Sequence, residues 1–219
     1  MDLDEARTRI LDAAEKLFYD RGIQSVGMDE LRTAAGVSLK RLYQCFPAKQ
    51  DLVEAYLRRR DTRWRAALAE YVDAHADVHA DGPAARLLAV FDWLYGWFSG
   101  PGFRGCAFIN AFGELGATSD GVSRAAREHK GALLSYLTEL ARGVPLPQPQ
   151  PEAVAGRLAL LVDGAITAAA ITRDPDAARR ARAAAETLLG AAGAGAGAGA
   201  EAGTGAGASA STRGSSPRG

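Results

Sequence analysis

MDELRTAAGVSLKRLYQCFPAK, residues Met28 to Lys49, predicts two short helices joined by a tight turn. The first helix is expected over Met28–Ala34 and the second from Ser38 to about Cys45. Gly36 suits the left-handed position of the turn, which residues with a Cβ atom resist, and Ser38 is a favoured N-cap residue. Five apolar side chains are spaced so that they can close a small core against a preceding helix: Leu31, Ala35, Val37, Leu42 and Phe46.

The second of these helices is expected to turn its polar side to solvent. Six residues are left on that side: Ser38, Leu39, Lys40, Arg41, Tyr43 and Gln44. Hydroxyl, amide and cationic groups on one helix suit a DNA duplex, which offers phosphates and base edges. An outward polar second helix after a tight turn is the helix-turn-helix arrangement of DNA-binding proteins. On the pattern alone, a small helical corner with a solvated face is an equal alternative.

From Arg9 to Tyr56 the chain resembles the N-terminal domain of the TetR (tetracycline repressor) family of transcriptional regulators. The resemblance rests on ILDAAEKLF (Ile10–Phe18), Gly22, AAGVS (Ala34–Ser38), LY (Leu42-Tyr43) and FPAK followed by DLV (Phe46–Val53). It implies an all-α protein, in which an N-terminal three-helix helix-turn-helix domain precedes a C-terminal helical bundle for ligand binding and dimerisation. It also implies a homodimer that binds double-stranded DNA at a pseudo-palindromic operator and is released by a small effector.

The chain departs from the family pattern at positions that commonly touch phosphate. Val26 and Gly27 stand where a Thr or Ser pair usually opens the second helix, and Cys45 stands where His is usual. Both contacts are expected to be lost or replaced by backbone amides, and Gly27 and Met28 are among the residues predicted to contact DNA. Lys40 replaces a small residue within the recognition helix, so it can add a contact.

Two further DNA contacts are expected near the recognition helix. Lys49 falls in the first turn of the next helix, where the helix dipole disfavours a cation. A phosphate bound at that helix N-terminus would explain its position. The resemblance implies the same role for Lys49, and a contact to the DNA backbone for Tyr43.

Composition limits the classes of protein that this chain can belong to. Of 219 residues, 47% are apolar, which is enough for a sizeable core, and 26 basic residues balance 26 acidic ones. Between Gly36 and Arg65 basic residues outnumber acidic ones, which suits phosphate attraction. The N-terminus lacks the apolar segment of a signal peptide, and the least polar run, Leu158–Ile171, is too short to span a bilayer. Two cysteines without metal-type spacing suit a reducing cytoplasm.

The remaining sequence predicts helices separated by breaks. The expected helices are Pro47 to about His75, Ala84–Ser99, one from about Cys106, one from Ser119 or Asp120 to Arg142, Ala153–Thr172 and Asp176–Leu189. Four prolines between residues 143 and 152 predict an extended connector. The Gly/Ala-rich end cannot offset its ordering entropy by burial. The predicted domains are therefore residues 1–47 for DNA binding, 48–189 for ligand binding and dimerisation, and 190–219 as a disordered tail.

An aromatic-rich middle predicts a mostly apolar pocket between helices, for a small apolar or aromatic effector. The candidate lining residues are Phe91, Tyr95, Phe98, Phe103, Cys106, Phe108, Asn110 and His129. A solid aromatic core would use the same side chains equally well. Small side chains on the last two helices, such as Gly164 and Ala168, allow close packing and predict a homodimer through residues 153–189.

Other functions receive less support from the sequence. No Ser-His-Asp arrangement or glycine-rich phosphate loop is present, so we predict no enzyme activity and no cofactor. His75 and His79 with nearby aspartates could bind a metal, but polar helix ends are ordinary and no metal site is predicted. Cys106 near Arg104 and a helix N-terminus could act as a thiol-based redox or electrophile sensor on the same scaffold. An architectural DNA-binding protein without a ligand is a further alternative.

Overall fold

The computed structural model describes residues 2–76, 84–145 and 150–201, and these residues form nine α-helices and no strand. The helices are α1 (Leu3–Arg21), α2 (Met28–Ala35), α3 (Leu39–Cys45), α4 (Lys49–Ala76), α5 (Ala85–Ser99), α6 (Ala107–Leu115), α7 (Asp120–Arg142), α8 (Gln150–Thr172) and α9 (Asp176–Glu201). The all-α expectation is confirmed.

The first three helices and the start of α4 enclose one small core. α1 packs against α2, α3 and α4. The five apolar side chains expected in this core are all buried: Leu31, Ala35, Val37, Leu42 and Phe46. Phe18 of α1 and Tyr56 of α4 meet edge to face, with 5.7 Å between ring centroids. Because Leu52 and Tyr56 are fully buried, the packing unit extends past the predicted boundary at residue 47.

Five helices and the remainder of α4 form the second packing unit. α5 packs against α4 and α9, α7 packs against α4, α6 and α8, and α8 packs against α9. α4 therefore runs through both units and connects them mechanically. Ser119 begins α7 by accepting a hydrogen bond at its hydroxyl from the amide of Val122, as its sequence position predicted.

Two boundaries near the C-terminus differ from the expectation. α8 begins at Gln150, so Pro151 lies in its first turn, where a missing N–H costs nothing. Residues 146–149 of the predicted connector lie outside the described residues. α9 continues to Glu201, twelve residues beyond the boundary expected at 189. Residues 202–219 of the predicted tail lie outside the described residues.

The apolar part of α8 is longer than the run Leu158–Ile171, which on its own is too short to span a bilayer. Residues Pro151–Thr172 are long and apolar enough to cross a bilayer by length and composition, with a mean hydropathy of 1.7. The core helix of a soluble protein passes the same test. α8 packs against α7 and α9 and buries Val154, Leu158, Val162 and Ile166, so one face of this helix belongs to the core, while 39% of the apolar segment is buried.

Candidate nucleic-acid interface and junction cleft

The turn between α2 and α3 fixes the direction of the recognition helix, α3. Gly36 adopts φ 65° and ψ 36°, the left-handed conformation expected for it. The amide of Val37 donates to the carbonyl of Arg32 at 3.0 Å, which closes the end of α2. The hydroxyl of Ser38 then accepts a hydrogen bond from the amide of Arg41 at 3.2 Å and begins α3. α3 thus leaves a rigid corner at a defined angle.

The outward face of α3 carries the side chains that the sequence placed there. Leu39 is 45% exposed and Tyr43 is 44% exposed. Ser38, Lys40 and Gln44 are also exposed, whereas Arg41 is half-buried, and the remaining two α3 residues, Leu42 and Cys45, are buried. Within the described residues, neither Lys40 nor Arg41 makes an ion pair. Two cations without a partner therefore lie on a surface otherwise formed by neutral polar and apolar groups.

Arg7 of α1 secures the far end of α3 and was not singled out from the sequence. Its guanidinium Nη1 donates to the carbonyl of Cys45 at 3.1 Å and lies over the ring of Phe46, 4.4 Å from the centroid. A cation at a helix C-terminus is favoured by the helix dipole. Arg7 is 38 residues from Cys45, so no local pattern could indicate this contact.

Lys49 lies at the N-terminus of α4, but its ammonium group is already engaged. Nζ donates to the carbonyl of Ile23 at 2.6 Å and lies 5.9 Å from the centroid of the Phe18 ring. Burial lowers the pKa of Lys49, and the charge of Glu114 opposes that shift. Gly27 is exposed and Met28 half-buried at the start of α2, where no side chain caps the first amides. The phosphate contacts expected at these three residues remain predictions.

The local excess of basic residues does not form a DNA-facing surface. Arg59, Arg60 and Arg63 of α4 all contact the carboxylate of Glu15, and Arg59 also pairs with Asp12 at 2.9 Å. These pairs join α4 to α1, so three of the eight basic residues counted between Gly36 and Arg65 serve packing between helices. The inference of phosphate attraction from this count is therefore wrong for these arginines.

The aromatic middle of the second unit is packed rather than open. Trp64 of α4 contacts Trp93 and Trp97 of α5, with ring centroids 5.0 and 5.8 Å apart. Phe91 is buried in the core, and the ring of Phe108 stacks on His129 at 3.8 Å. Of the eight predicted lining residues, Phe91, Cys106, Phe108 and His129 are buried, and Phe108 also borders a groove between α6 and α7; a ligand contact for these four stays a prediction.

A cleft with a volume of about 700 Å³ lies where the two units meet, and we call it the junction cleft. Phe98, Phe103 and Asn110, three of the predicted lining residues, border it. The other lining residues are Phe18, Tyr19, Asp20, Gly22, Gly100, Gly102, Arg104, Glu114, Ala169, Ala170, Arg173 and Pro175. Tyr95 lies outside it, under the guanidinium of Arg179, which is 3.9 Å from its ring centroid. The cleft, unlike the predicted pocket, includes residues of α1.

Two side chains connect the units beside this cleft. The hydroxyl of Tyr19 donates to the carbonyl of Gly105 at 2.9 Å and accepts from the amide of Arg104 at 3.0 Å. The carboxylate of Glu114 accepts from the amides of Ile23 and Gln24, at 3.1 and 2.9 Å. A Cβ atom on Gly22 would lie 3.1 Å from this carboxylate, and its φ of 86° also favours glycine. α6 is therefore hydrogen-bonded to the segment that leads into α2.

His129 and Glu114 have different partners and do not form an acid–base pair with each other. Nδ1 of His129 lies 2.7 Å from a carboxylate oxygen of Asp61 on α4, and the imidazole is buried. Burial lowers the pKa of His129, while the hydrogen bond to Asp61 opposes this shift. Burial also opposes ionisation of Asp61, but hydrogen bonds from Arg65 and His129 leave its pKa below the ordinary value.

The residues considered for a metal site are only partly described. Nδ1 of His75 lies 2.7 Å from the carbonyl of Tyr71, and its ring stacks on that tyrosine. His79, Asp77 and Asp81 lie outside the described residues. Elsewhere in residues 2–76, 84–145 and 150–201, no group of three His, Cys, Asp or Glu side chains could hold a metal ion.

Cys106 is the N-cap residue of α6 rather than part of its first turn. Its thiol is buried, and Sγ lies 3.9 Å from Nζ of Lys130 on α7. The same ammonium lies 2.5 Å from a carboxylate oxygen of Asp163. A cation therefore neighbours the thiol, although it is Lys130 and not the expected Arg104.

Comparison with known proteins agrees with this architecture. Residues 10–56 match the family model described as bacterial regulatory proteins of the tetR family, and residues 83–185 match a tetracyclin repressor-like C-terminal domain. A TetR-family transcriptional regulator from Streptomyces coelicolor is 33% identical and superposes with a TM-score of 0.76, covering 86% of this chain and 96% of that one.

Relatives found by sequence match a shorter part of the chain. An HTH-type transcriptional regulator of Mycobacterium tuberculosis is 47% identical over 83 residues, which are 38% of this chain and 39% of that protein. The HTH-type transcriptional activator FasR of Mycolicibacterium smegmatis is 48% identical over 56 residues, 26% of each chain. The match over both domains shows that this chain belongs to the TetR family of DNA-binding helix-turn-helix transcriptional regulators.

Proposed function

We propose that this regulator is a cytoplasmic repressor, which binds a pseudo-palindromic operator as a homodimer and leaves it when a small effector binds. The observation that supports this most strongly is the outward face of α3, where Lys40 and Arg41 have no ion-pair partner within the described residues. Cations in this position reach the base edges and phosphates of a major groove. No catalytic step and no cofactor are part of the proposal.

The DNA-contacting residues divide into two roles. Lys40, Arg41 and Gln44 lie on the exposed side of α3 and are assigned to base edges. Contacts to the DNA backbone are assigned to a second group of residues. On the same face of α3 these are Ser38, Leu39 and Tyr43, and next to it they are Lys49 and the amides of Gly27 and Met28. Contacts of the first kind specify sequence, and contacts of the second kind fix position.

The dimer interface is assigned to α8 and α9 within residues 153–189. Along α8, Leu160 is 74% exposed and Ile171 is 77% exposed, with exposed Gly164 and Thr167 between them. These residues follow each other at intervals of three or four, so they form one face of the helix. Pairing this face with its symmetry-related copy would remove two large apolar side chains per chain from water. The resulting two-fold axis would set two recognition helices about one DNA turn apart, roughly 34–36 Å.

The dimer assignment is tested by sedimentation of the full chain at micromolar concentration. Leu160→Glu places a charge within the proposed interface and should yield a monomer with weakened operator binding. Leu134→Glu, at a 40% exposed position on α7, is the matched control and should remain dimeric. A wild-type monomer, or a dimer that both substitutions leave intact, would contradict the assignment.

Effector action is assigned to the junction cleft, because its walls come from both units. Tyr19 and Glu114 connect α6 and the preceding loop to α1 and the segment before α2. A ligand that separates or tightens these walls changes the angle of the DNA-binding unit. It shifts the equilibrium only by its difference in affinity for the two arrangements, commonly about 1–3 kcal/mol.

Operator binding is tested by fluorescence anisotropy with DNA from upstream of the regulator's own gene. We expect saturable binding that an unrelated duplex of equal length does not reproduce, and repression of a reporter carrying that DNA. Equal affinity for both duplexes would instead support the architectural alternative.

A thiol-based sensor on the same scaffold is the second candidate, favoured by the ammonium of Lys130 lying 3.9 Å from Cys106. Hydrogen peroxide transfers one oxygen atom to a cysteine thiolate, which gives a sulfenate and water. Peroxide should then release wild-type protein from operator DNA but not Cys106→Ser. Equal behaviour of the two proteins would exclude Cys106 as the sensor.

A further inference from the structure

We propose that the junction cleft binds an organic anion with an aromatic or apolar body, and that Arg104 and Arg173 select its anionic group. That such a ligand acts as the effector rests on the function proposed above. The inference narrows the ligand class, because the sequence suggested only an apolar or aromatic molecule.

The two arginines are available for a ligand. Arg104 lies on the loop between α5 and α6, and Arg173 lies on the link between α8 and α9; both border the cleft and are exposed. Within the described residues, neither guanidinium has a hydrogen bond or an ion pair. Three other arginines, by contrast, do have partners: Arg179, Arg180 and Arg182 on α9 are each paired with a carboxylate.

The backbone at Arg173 supports a role for its side chain. Arg173 follows the last residue of α8 with φ 56°, and it is the one non-glycine residue with a positive φ in the described chain. Glycine is the usual residue at this position after a helix, because it has no Cβ to crowd the backbone. An arginine here is disfavoured locally, and its side chain borders the cleft.

Three phenylalanines border the otherwise largely polar cleft and supply apolar contacts for an aromatic body. Phe98 and Phe103 lie with their ring centroids 4.7 Å apart, and Phe18 contributes from α1. Asn110 donates its amide to the carbonyl of Arg104 at 3.0 Å, which holds the loop that carries this arginine. The volume of about 700 Å³ is within the range of small-molecule sites.

Two acidic residues, Glu114 and Asp20, also border the cleft and restrict how many anionic groups the ligand can carry. Both oxygens of Glu114 accept backbone amides, so this carboxylate is already bound by the protein. Asp20 lies near the end of α1, on the side of the DNA-binding unit. Asp20 adds negative charge to the lining, so a single anionic group is favoured over a polyanion. The guanidinium groups, by contrast, offer planar donors that match a carboxylate or sulfonate.

The probe is 8-anilinonaphthalene-1-sulfonate, an aromatic anion whose fluorescence rises in apolar surroundings. N-phenyl-1-naphthylamine has the same ring system without the sulfonate and is the neutral comparison. The variant is Arg104→Gln/Arg173→Gly, since glycine accepts the left-handed backbone without strain. Arg127→Gln is the matched control, because Arg127 is exposed and borders a different apolar groove of about 360 Å³ between α6 and α7.

We expect the double variant to raise the Kd of the anionic probe by about tenfold or more, since hydrogen bonds to a charged group are lost. The Kd of the neutral probe should stay within error, and Arg127→Gln should change neither. Arg104→Gln and Arg173→Gly are also tested singly, and their unfolding midpoints are measured. Midpoints equal to that of the wild type exclude misfolding as the cause of a lost affinity. Unchanged affinity in the double variant, an equal loss for the neutral probe, a loss in Arg127→Gln, or no anion binding to wild type would overturn the proposal.

Operator affinity measured without any probe tests the proposed function alone. If the regulator binds its operator but the anionic probe does not depend on the two arginines, the ligand class is wrong and the DNA-binding function stands. If the probe binds as expected but no operator is found, the cleft assignment stands and the proposed repression fails.

Discussion

The DNA-binding unit and the aromatic bundle behind it use their side chains in opposite ways. In the first, a closed core beneath α3 leaves Lys40 and Tyr43 exposed to solvent. In the second, aromatic side chains turn inward, so that Phe91 and Phe108 are buried. Recognition of DNA therefore needs a rigid support with an open face. Open space of about 700 Å³ lies at the boundary between the units, and the proposed small-molecule site is therefore there rather than in the packed aromatic middle.

The largest effect is expected when a buried side chain in the core of the DNA-binding unit is truncated. Phe46→Ala removes a fully buried ring under Arg7 and should lower the free energy of unfolding by about 3–5 kcal/mol. Operator binding should be lost with it, because α3 loses its support. Phe112→Ala, at a 51% exposed position on α6, should cost no more than about 0.5 kcal/mol. Urea unfolding of both variants measures the difference, and equal losses would contradict the assignment of the core.

The next largest effect is on DNA binding, where two lysines of the DNA-binding unit are expected to act differently. Lys40→Ala should weaken binding to the operator by about 1–3 kcal/mol and relax specificity at one base pair. Lys49→Ala should weaken binding to all sequences and also lower stability, since Nζ is hydrogen-bonded to Ile23. Anisotropy titrations with operator and mutated duplexes distinguish these outcomes, with exposed Lys16→Ala on α1 as control. Identical profiles for the two lysines would refute the division of roles.

A third effect is expected from Glu114, which connects the two packing units beside the junction cleft. Glu114→Gln leaves one carbonyl oxygen for two backbone amides, so the free energy of unfolding should fall by about 1–2 kcal/mol. Any ligand effect on operator affinity should shrink, because α6 holds the segment before α2 less firmly. Glu128→Gln, at an exposed position on α7 without an ion pair in the described residues, is the control. A ligand effect of full size in Glu114→Gln would remove this carboxylate from the coupling.

The smallest effect is a pH dependence within the bundle. The pKa of His129 is lowered by burial from its ordinary value of 6.5, so the unfolded chain binds this proton more readily than the folded one. The stability that depends on neutral His129 is therefore present above pH 6.5 and is lost as the pH falls toward the lower folded pKa. Unfolding midpoints should drop between pH 7.5 and 5.5 in wild type, and drop less in His129→Gln. Equal drops would show that another group carries the dependence.

Sequence reasoning succeeded where the determining contacts are local. Gly36 and Ser38 fix the turn and the start of α3 within a few residues of themselves, and the apolar spacing around them leaves one face open. The contact of Arg7 with Cys45 spans 38 residues, and that of Glu114 with Gln24 spans 90. Such contacts depend on how helices pack, which helical periodicity does not specify.

The candidate ligand site shows the same limit. Aromatic composition selected Phe98 and Phe103, which border the cleft, but it equally selected Phe91, which is in the core. Nothing in the pattern around Arg173 indicated a cleft, because its position depends on the link between α8 and α9 meeting the end of α1. The count of basic residues between Gly36 and Arg65 misled for a related reason, since Glu15 and Asp12 on α1 neutralise several of them.

Hydroxyl-radical footprinting of the full chain on DNA from upstream of its own gene tests the central claim most directly. The account predicts two protected segments whose centres lie about one helical turn, roughly 34–36 Å, apart, because each protomer presents one α3 to a major groove. Both segments should lose protection together in Leu160→Glu. A single protected segment, uniform protection along the duplex, or an unchanged pattern in that variant would contradict a dimer that binds DNA through α3.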